Sequence, residues 1–127
     1  MKKLILLIAL ALPLCGMAQI EPFTFKSVYM TSGICITSMD REDTKPRTIT
    51  YDGDYITITY DESGKQWAKL KVVETAIKQS YDKYVQWFRC EDETGKKKIV
   101  IKEPNSVKYY GFNELGITSL VVYFSQY

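Results

Sequence analysis

The chain has 127 residues, 25% of them charged and 46% hydrophobic, with a formal net charge of +2 and no histidine. The missing imidazole removes the usual general base near neutral pH, the Ser-His and Cys-His nucleophile pairs, and the commonest metal ligand. A balance this close to neutral supplies no summed positive field for general nucleic-acid or anionic-membrane binding.

The chain opens MKKLILLIALALPLCGMAQ. Lys2 and Lys3 form a positive n-region, Leu4 to Leu14 an apolar run, and Gly16-Met17-Ala18 a small-residue cleavage site. This is the pattern of a secretory signal, with cleavage expected after Ala18. The run is too short for a membrane-spanning helix, which needs about 20 residues. Cys15 with Leu12 resembles a bacterial lipobox in part, but Pro13 and Leu14 stand where small residues are usual. Cleavage leaves residues 19–127 as one domain, exported to the periplasm or the medium. It also removes Lys2 and Lys3, which carry the apparent basicity.

Phe23 to Thr31 and Gly33 to Ser38 read as a pair of strands, with Cys35 in the second. Met39 to Arg47, crowded with charges and holding Pro46, reads as a loop. The stretch TITYDGDYITITYDE (48–62) nearly repeats itself. Its alternation puts Ile49, Tyr51, Ile56, Ile58 and Tyr60 on one face and Thr48, Thr50, Tyr55, Thr57 and Thr59 on the other. A two-residue Asp52-Gly53 turn pairs Ile49 with Ile56 and makes a hairpin. Calcium binding is not expected there, because Asp52-Gly53-Asp54 lacks the further oxygen ligands of a calcium loop.

Asp61-Glu62-Ser63-Gly64-Lys65 returns as Asp92-Glu93-Thr94-Gly95-Lys96. Aspartate first and glycine fourth suit a type I turn with a left-handed glycine. Strands follow each, at Gln66 to Val73 and Lys97 to Lys102. Val73 to Phe88 is ambiguous, since its apolar residues fall at helical spacing. The richness of Tyr84-Val85-Gln86-Trp87-Phe88 in strand formers favours a strand from Lys83 to Cys90, with 74–82 as a connection. Val107 to Phe112 and Ser119 to Phe124 close the chain as strands.

The expected fold is mainly β: a small antiparallel barrel or sandwich of seven or eight strands built from hairpins. The alternative is α+β, with one helix over 74–89. In strand pattern alone the outline resembles a small calycin-type, lipocalin-like barrel. Tyr127 ends the chain with an aromatic, as outer-membrane barrels do, but Ser125, Gln126 and short strands argue against that class.

After cleavage the cysteines are Cys35 and Cys90, and an exported chain suggests a disulfide between them. Two separate buried thiols are the alternative. Two distant cysteines without histidine do not make a zinc site. No GxGxxG or phosphate-binding GxxxxGK[ST] occurs. Most acids fall in turns; Glu74 and Glu114 are the least easily assigned to them. A non-enzymatic domain without metal or cofactor is expected.

Tyr55, Trp67, Trp87, Tyr109 and Tyr110 are the candidate ligand- or partner-binding residues. One reading is a carrier that holds a small ligand in a cavity lined by Ile58, Leu70, Phe88 and Tyr109. The other is an interaction or inhibitor module for an envelope protein, using a sheet face or hairpin tips. Neither a nucleic-acid partner nor a transmembrane segment after cleavage is expected.

Overall fold

The computed structural model describes residues 20–34 and 41–126. The leader, Cys15, Cys35 and Tyr127 lie outside the described residues. Ten strands are present: β1 (Phe23–Ser27), β2 (Tyr29–Gly33), β3 (Arg41–Asp43), β4 (Arg47–Tyr51), β5 (Tyr55–Tyr60), β6 (Gln66–Ser80), β7 (Lys83–Glu91), β8 (Lys97–Glu103), β9 (Ser106–Phe112) and β10 (Thr118–Ser125). They form one curled, barrel-like antiparallel sheet in the order β1-β4-β5-β6-β7-β8-β9-β10-β2-β3. Consecutive strands from β4 to β10 are neighbours, so the sheet is a run of hairpins.

The strand count exceeds seven or eight because two runs are each interrupted. β1 passes into β2 across Val28 alone, and β3 into β4 across residues 44–46. At the first break the Val28 N–H donates to the Ser125 carbonyl at 3.0 Å. β1 therefore joins β4 while its direct continuation, β2, joins β10.

The second break corrects the expected loop over Met39 to Arg47. Its last residue begins β4 and is 1% exposed. Arg47 Nη2 donates to Asp43 Oδ2 at 2.9 Å, Nη1 donates to the Lys45 carbonyl at 3.1 Å, and the guanidinium lies 4.6 Å from the Tyr60 ring centroid. Nε has no partner among the described residues. A buried guanidinium is tolerable only when paired in this way. The same charges that read as solvated loop thus tie the two halves of an interrupted strand together.

The hairpin at 48–60 forms with the expected faces, but its register is shifted by two residues. Ile49 stands opposite Ile58, and Tyr51 opposite Ile56. The reason is Asp52, whose Oδ1 accepts from the N–H groups of Asp54 and Tyr55 at 2.8 and 2.7 Å. Asp52 caps the turn, and Gly53 with a φ of 107° makes its tight corner. A shift of two leaves every side chain on its face, which is why the alternation survives.

No described residue is helical, and the expected connection at 74–82 belongs to β6 and its turn. The helix-like spacing has a specific origin. A bulge between Val72 and Glu74 resets the alternation, and the chain then reverses at Tyr81-Asp82. A phase slip followed by a hairpin imitates a three-to-four-residue period.

The repeated pentapeptides do not make the same turn. At 92–96 the Asp92 carboxylate accepts from the N–H groups of Thr94 and Lys96, both at 2.9 Å. Asn113 repeats that geometry, accepting from Leu115 and Ile117 at 2.9 and 3.0 Å. At 61–65 the loop is wider, with the Gly64 N–H donating to the Tyr60 carbonyl. Asp61 there accepts from the Thr48 hydroxyl instead of capping its own turn.

These capping bonds carry a pH dependence. Backbone donors hold the Asp52 carboxyl below its ordinary value of 3.8, led by Tyr55. The Thr94 hydroxyl chiefly lowers Asp92, and the Lys45 N–H chiefly lowers Asp43. A depressed carboxyl stabilises the fold above its unfolded value and loses that contribution as pH falls through the folded one. The urea midpoint is therefore expected to be level above about pH 5 and to drop steadily toward about pH 2. A midpoint unchanged across that interval would contradict these caps.

The inner face of the sheet is mainly apolar, with Arg47, Lys98 and Lys102 on it against the Tyr60, Tyr109 and Phe25 rings. Phe88 packs on Tyr51, with centroids 4.9 Å apart and rings near perpendicular, and on Phe23 at 6.0 Å. Trp67 stands edge-on to Tyr109 at 5.2 Å and to Phe124 at 5.5 Å. Each cluster joins strands that are not neighbours in the sheet, β1 and β4 with β7, and β6 with β9 and β10. Ring pairs of this geometry add to the gain from burial alone.

Cys90 lies in this core as a free, fully buried thiol, so the expected bridge from Cys90 is not formed. Its side chain shares the inward face with Phe88 and packs as a small hydrophobe. Burial pushes the thiol up to about 12.

Candidate functional site

The interior leaves no room beside the side chains expected to line a ligand cavity. A side chain facing a void large enough for water would present accessible surface to it. Ile58 and Phe88 present none, Leu70 1% and Tyr109 6%. Desolvation accordingly raises the Tyr109 hydroxyl to about 12.

The five candidate aromatics do not converge. Trp67 and Tyr109 face inward and contact each other. Tyr55 faces outward on the side of the sheet where Thr24, Thr50, Thr57 and Lys69 align across β1, β4, β5 and β6. The Lys69 ammonium lies 4.8 Å from its ring. Trp87 and Tyr110 face outward on the opposite side. There Trp87 pairs with Ile101, and Tyr110 lies between Ile99 and Val121. This outer band is half-buried to buried. The adjacent Tyr109 and Tyr110 take opposite faces, as a strand requires.

Among the exposed large hydrophobic side chains, Val73, Ile77, Tyr81 and Tyr84 lie on the β6–β7 hairpin, and Leu115 and Ile117 lie in the β9–β10 turn. Pairing of β5 with β6 ends at Tyr55 and Lys71, followed by the Val72 N–H donating to the Asp54 carbonyl at 2.8 Å. Pairing of β7 with β8 begins only at Gln86. Residues 73–77 of β6 therefore run past β5 beside a β7 that is still paired with β8, and residues 78–85 run past both neighbours as a two-stranded arm.

The arm has two different faces. On one, Ile77 stands opposite Gln86 and Gln79 opposite Tyr84, so Ile77 and Tyr84 are diagonal neighbours. Both are exposed, Ile77 at 50% and Tyr84 at 69%. On the other face the charges are tied down. Arg89 Nη2 donates to Glu74 Oε2 at 3.1 Å, and the Lys78 ammonium lies 4.2 Å from the Trp87 ring. Glu74, one of the acids not easily assigned to a turn, is thus an ion-pair member on a strand; Glu114 sits in the turn at 114–116.

Tyr81 forms the tip. Its ring is 97% exposed and its φ is +57°, the left-handed region. That conformation costs a residue with a Cβ about 1–2 kcal/mol relative to the right-handed one. Tyr81-Asp82 is the two-residue loop between the paired Ser80 and Lys83, and tight hairpin loops of this kind take positive φ at their first position. Ile77 and Tyr81 fall in residues 74–82, which read as a connection, and Tyr84 falls in the expected strand from Lys83 to Cys90.

Among the described residues no group of three or more acids or cysteines is placed to hold a metal ion. No described helix is long and apolar enough to cross a membrane. Comparison with known proteins returns nothing: no family model, no curated protein and no solved structure matches the chain.

Proposed function

We propose that this chain is an exported protein-interaction module that engages its partner through the β6–β7 arm. The observation that carries the reading is the arm itself. It presents Ile77, Tyr81 and Tyr84 to solvent beyond the body of the sheet, while the interior aromatics are consumed in packing. A strained, exposed tyrosine and two apolar neighbours are what a protein hot spot uses. Burial of Ile58, Leu70, Phe88 and Tyr109 favours this reading over a ligand carrier, and the lack of histidine favours it over catalysis. In this reading the curled ten-stranded sheet is the body that carries the arm.

The test is Tyr81→Gly. Glycine adopts positive φ without strain, so the fold should be as stable as the parent or slightly more so. Capture of the partner, read by a photo-crosslinking residue at position 84, should be lost. Unchanged crosslinking in the glycine variant would overturn the assignment of the tip.

A further inference from the structure

We infer that the partner of the arm is a polypeptide that sets a carboxylate on Lys102 and an apolar side chain on Ile77 and Tyr84. The inference rests on the arm being the interaction element and names the chemistry of what it takes. Strand register carries it. Ile77 stands opposite Gln86, and Gln86 stands opposite Lys102. Residues directly opposite one another project from the same face, so these three form one row across β6, β7 and β8. Gln79 and Tyr84 form the next row toward the tip. Phe88, the next residue of β7 on that face, belongs to the core. The face is therefore the inner face of the sheet, carried outward onto the arm. Lys102 accordingly lies over the Phe23 and Phe25 rings, 5.6 and 5.1 Å from their centroids. The exposed apolar side chains and this ammonium share one surface, and two strand spacings, about 10 Å, separate Ile77 from Lys102.

The charge on that surface is unbalanced. Lys102 Nζ donates to the neighbouring Glu103 carbonyl at 2.6 Å, and among the described residues no carboxylate lies within ion-pair reach of it. The Glu103 carboxylate pairs with Lys108 instead, at 2.8 Å. The two rows hold no acid. Arg47, the buried cation of the same inner face, has Asp43; Lys102 has no counterpart. Half-buried against two rings, the ammonium is dried without an anion to repay it, and burial lowers it from its ordinary value of 10.5. A carboxylate brought by the partner supplies that anion, and the same approach covers Ile77 and Tyr84. The Gln86 amide between them can donate to and accept from the backbone of the bound segment. A polypeptide fits this surface better than a free fatty acid. A lipid tail needs a cavity, and Phe88 beneath the row is fully buried.

Zero-length coupling tests this. A carbodiimide joins an amine to a carboxylate only where the two touch. The lysine nitrogen attacks the activated carboxyl, an amide forms, and the displaced oxygen leaves with the reagent as a urea. The full chain, in its native cells, is treated with the carbodiimide and, separately, crosslinked from a photoreactive residue at position 84. The expected result is an amide between Lys102 and a carboxylate of the same protein that position 84 captures, identified by peptide mass. Lys102→Met keeps the stem on the Phe23 and Phe25 rings and removes the charge. It is expected to lower the position-84 adduct about tenfold, while Lys102→Arg retains it. The carbodiimide result on the parent decides the matter even if the methionine variant does not fold. Capture at position 84 without an amide at Lys102, an amide to a carboxylate of this chain, or capture of a small acid in place of a protein overturns the inference and leaves the arm as an interaction element. No adduct from position 84 removes both.

Discussion

Replacing Phe88 with alanine is expected to lower the unfolding free energy by about 3–5 kcal/mol, read from urea denaturation. The ring is fully buried and contacts Tyr51 and Phe23 on strands distant from β7 in the sheet. Its removal takes away the transfer energy of a large apolar group and leaves a hole that surrounding strands cannot close. Trp67→Ala should behave alike, because Trp67 bridges β6 to Tyr109 and Phe124. Tyr55→Ala, on the outward threonine side, should stay within about 0.5 kcal/mol of the parent. The contrast separates two aromatics that look equivalent as candidate binding residues in the sequence. A Phe88→Ala loss below about 1 kcal/mol would mean that the interior is not packed around this ring.

The second large effect concerns the charge pair at the interrupted strand. Asp43→Ala leaves the Arg47 guanidinium, 1% exposed, without its anion. Removing one member of a buried pair costs about 3–5 kcal/mol, and the lower end applies because the Asp43 side chain is 27% exposed. Arg47→Met removes the buried charge and its unpartnered Nε together while roughly keeping the volume. It is expected to cost much less than Asp43→Ala. In the double variant the aspartate has no cation to serve, so adding Asp43→Ala to Arg47→Met should cost little more. A full double-mutant cycle by urea denaturation measures this coupling. Strict additivity of the two changes would contradict the pairing drawn for this junction.

Much of the sheet was legible because strands with one polar face declare themselves. The threonine face at 48–59 and the isoleucine face opposite it fixed a hairpin whatever its turn. The two-residue register error came from a side-chain effect, the Asp52 cap, which a turn rule based on Asp-Gly does not contain. The β6–β7 arm was obscured because the bulge after Val72 breaks the two-residue period within a single strand. Arg47 and Asp43 were read as loop because a charged cluster near a proline is usually solvated. Their pairing is a tertiary fact that local composition cannot carry.

The candidate site was less legible for a different reason. On β7 to β10 both faces are apolar, with Phe88, Val100, Tyr109 and Val122 inward and Trp87, Ile99, Tyr110 and Val121 outward. Alternation then no longer separates a packing aromatic from a surface one. Trp67 and Trp87 illustrate the loss, one interior and one on the outer band. Exposure at Tyr81 follows from the lengths of β5 and β8, which end before the arm does.

The packing of Ile58, Leu70, Phe88 and Tyr109 and the proposed role of the arm meet in one measurement, the native mass of the chain. The account predicts the mass of the polypeptide itself or a whole multiple of it, unchanged in composition after denaturation. A native mass that exceeds the polypeptide by a small-molecule increment, lost on unfolding, would contradict it and return the interior to the role of a ligand site.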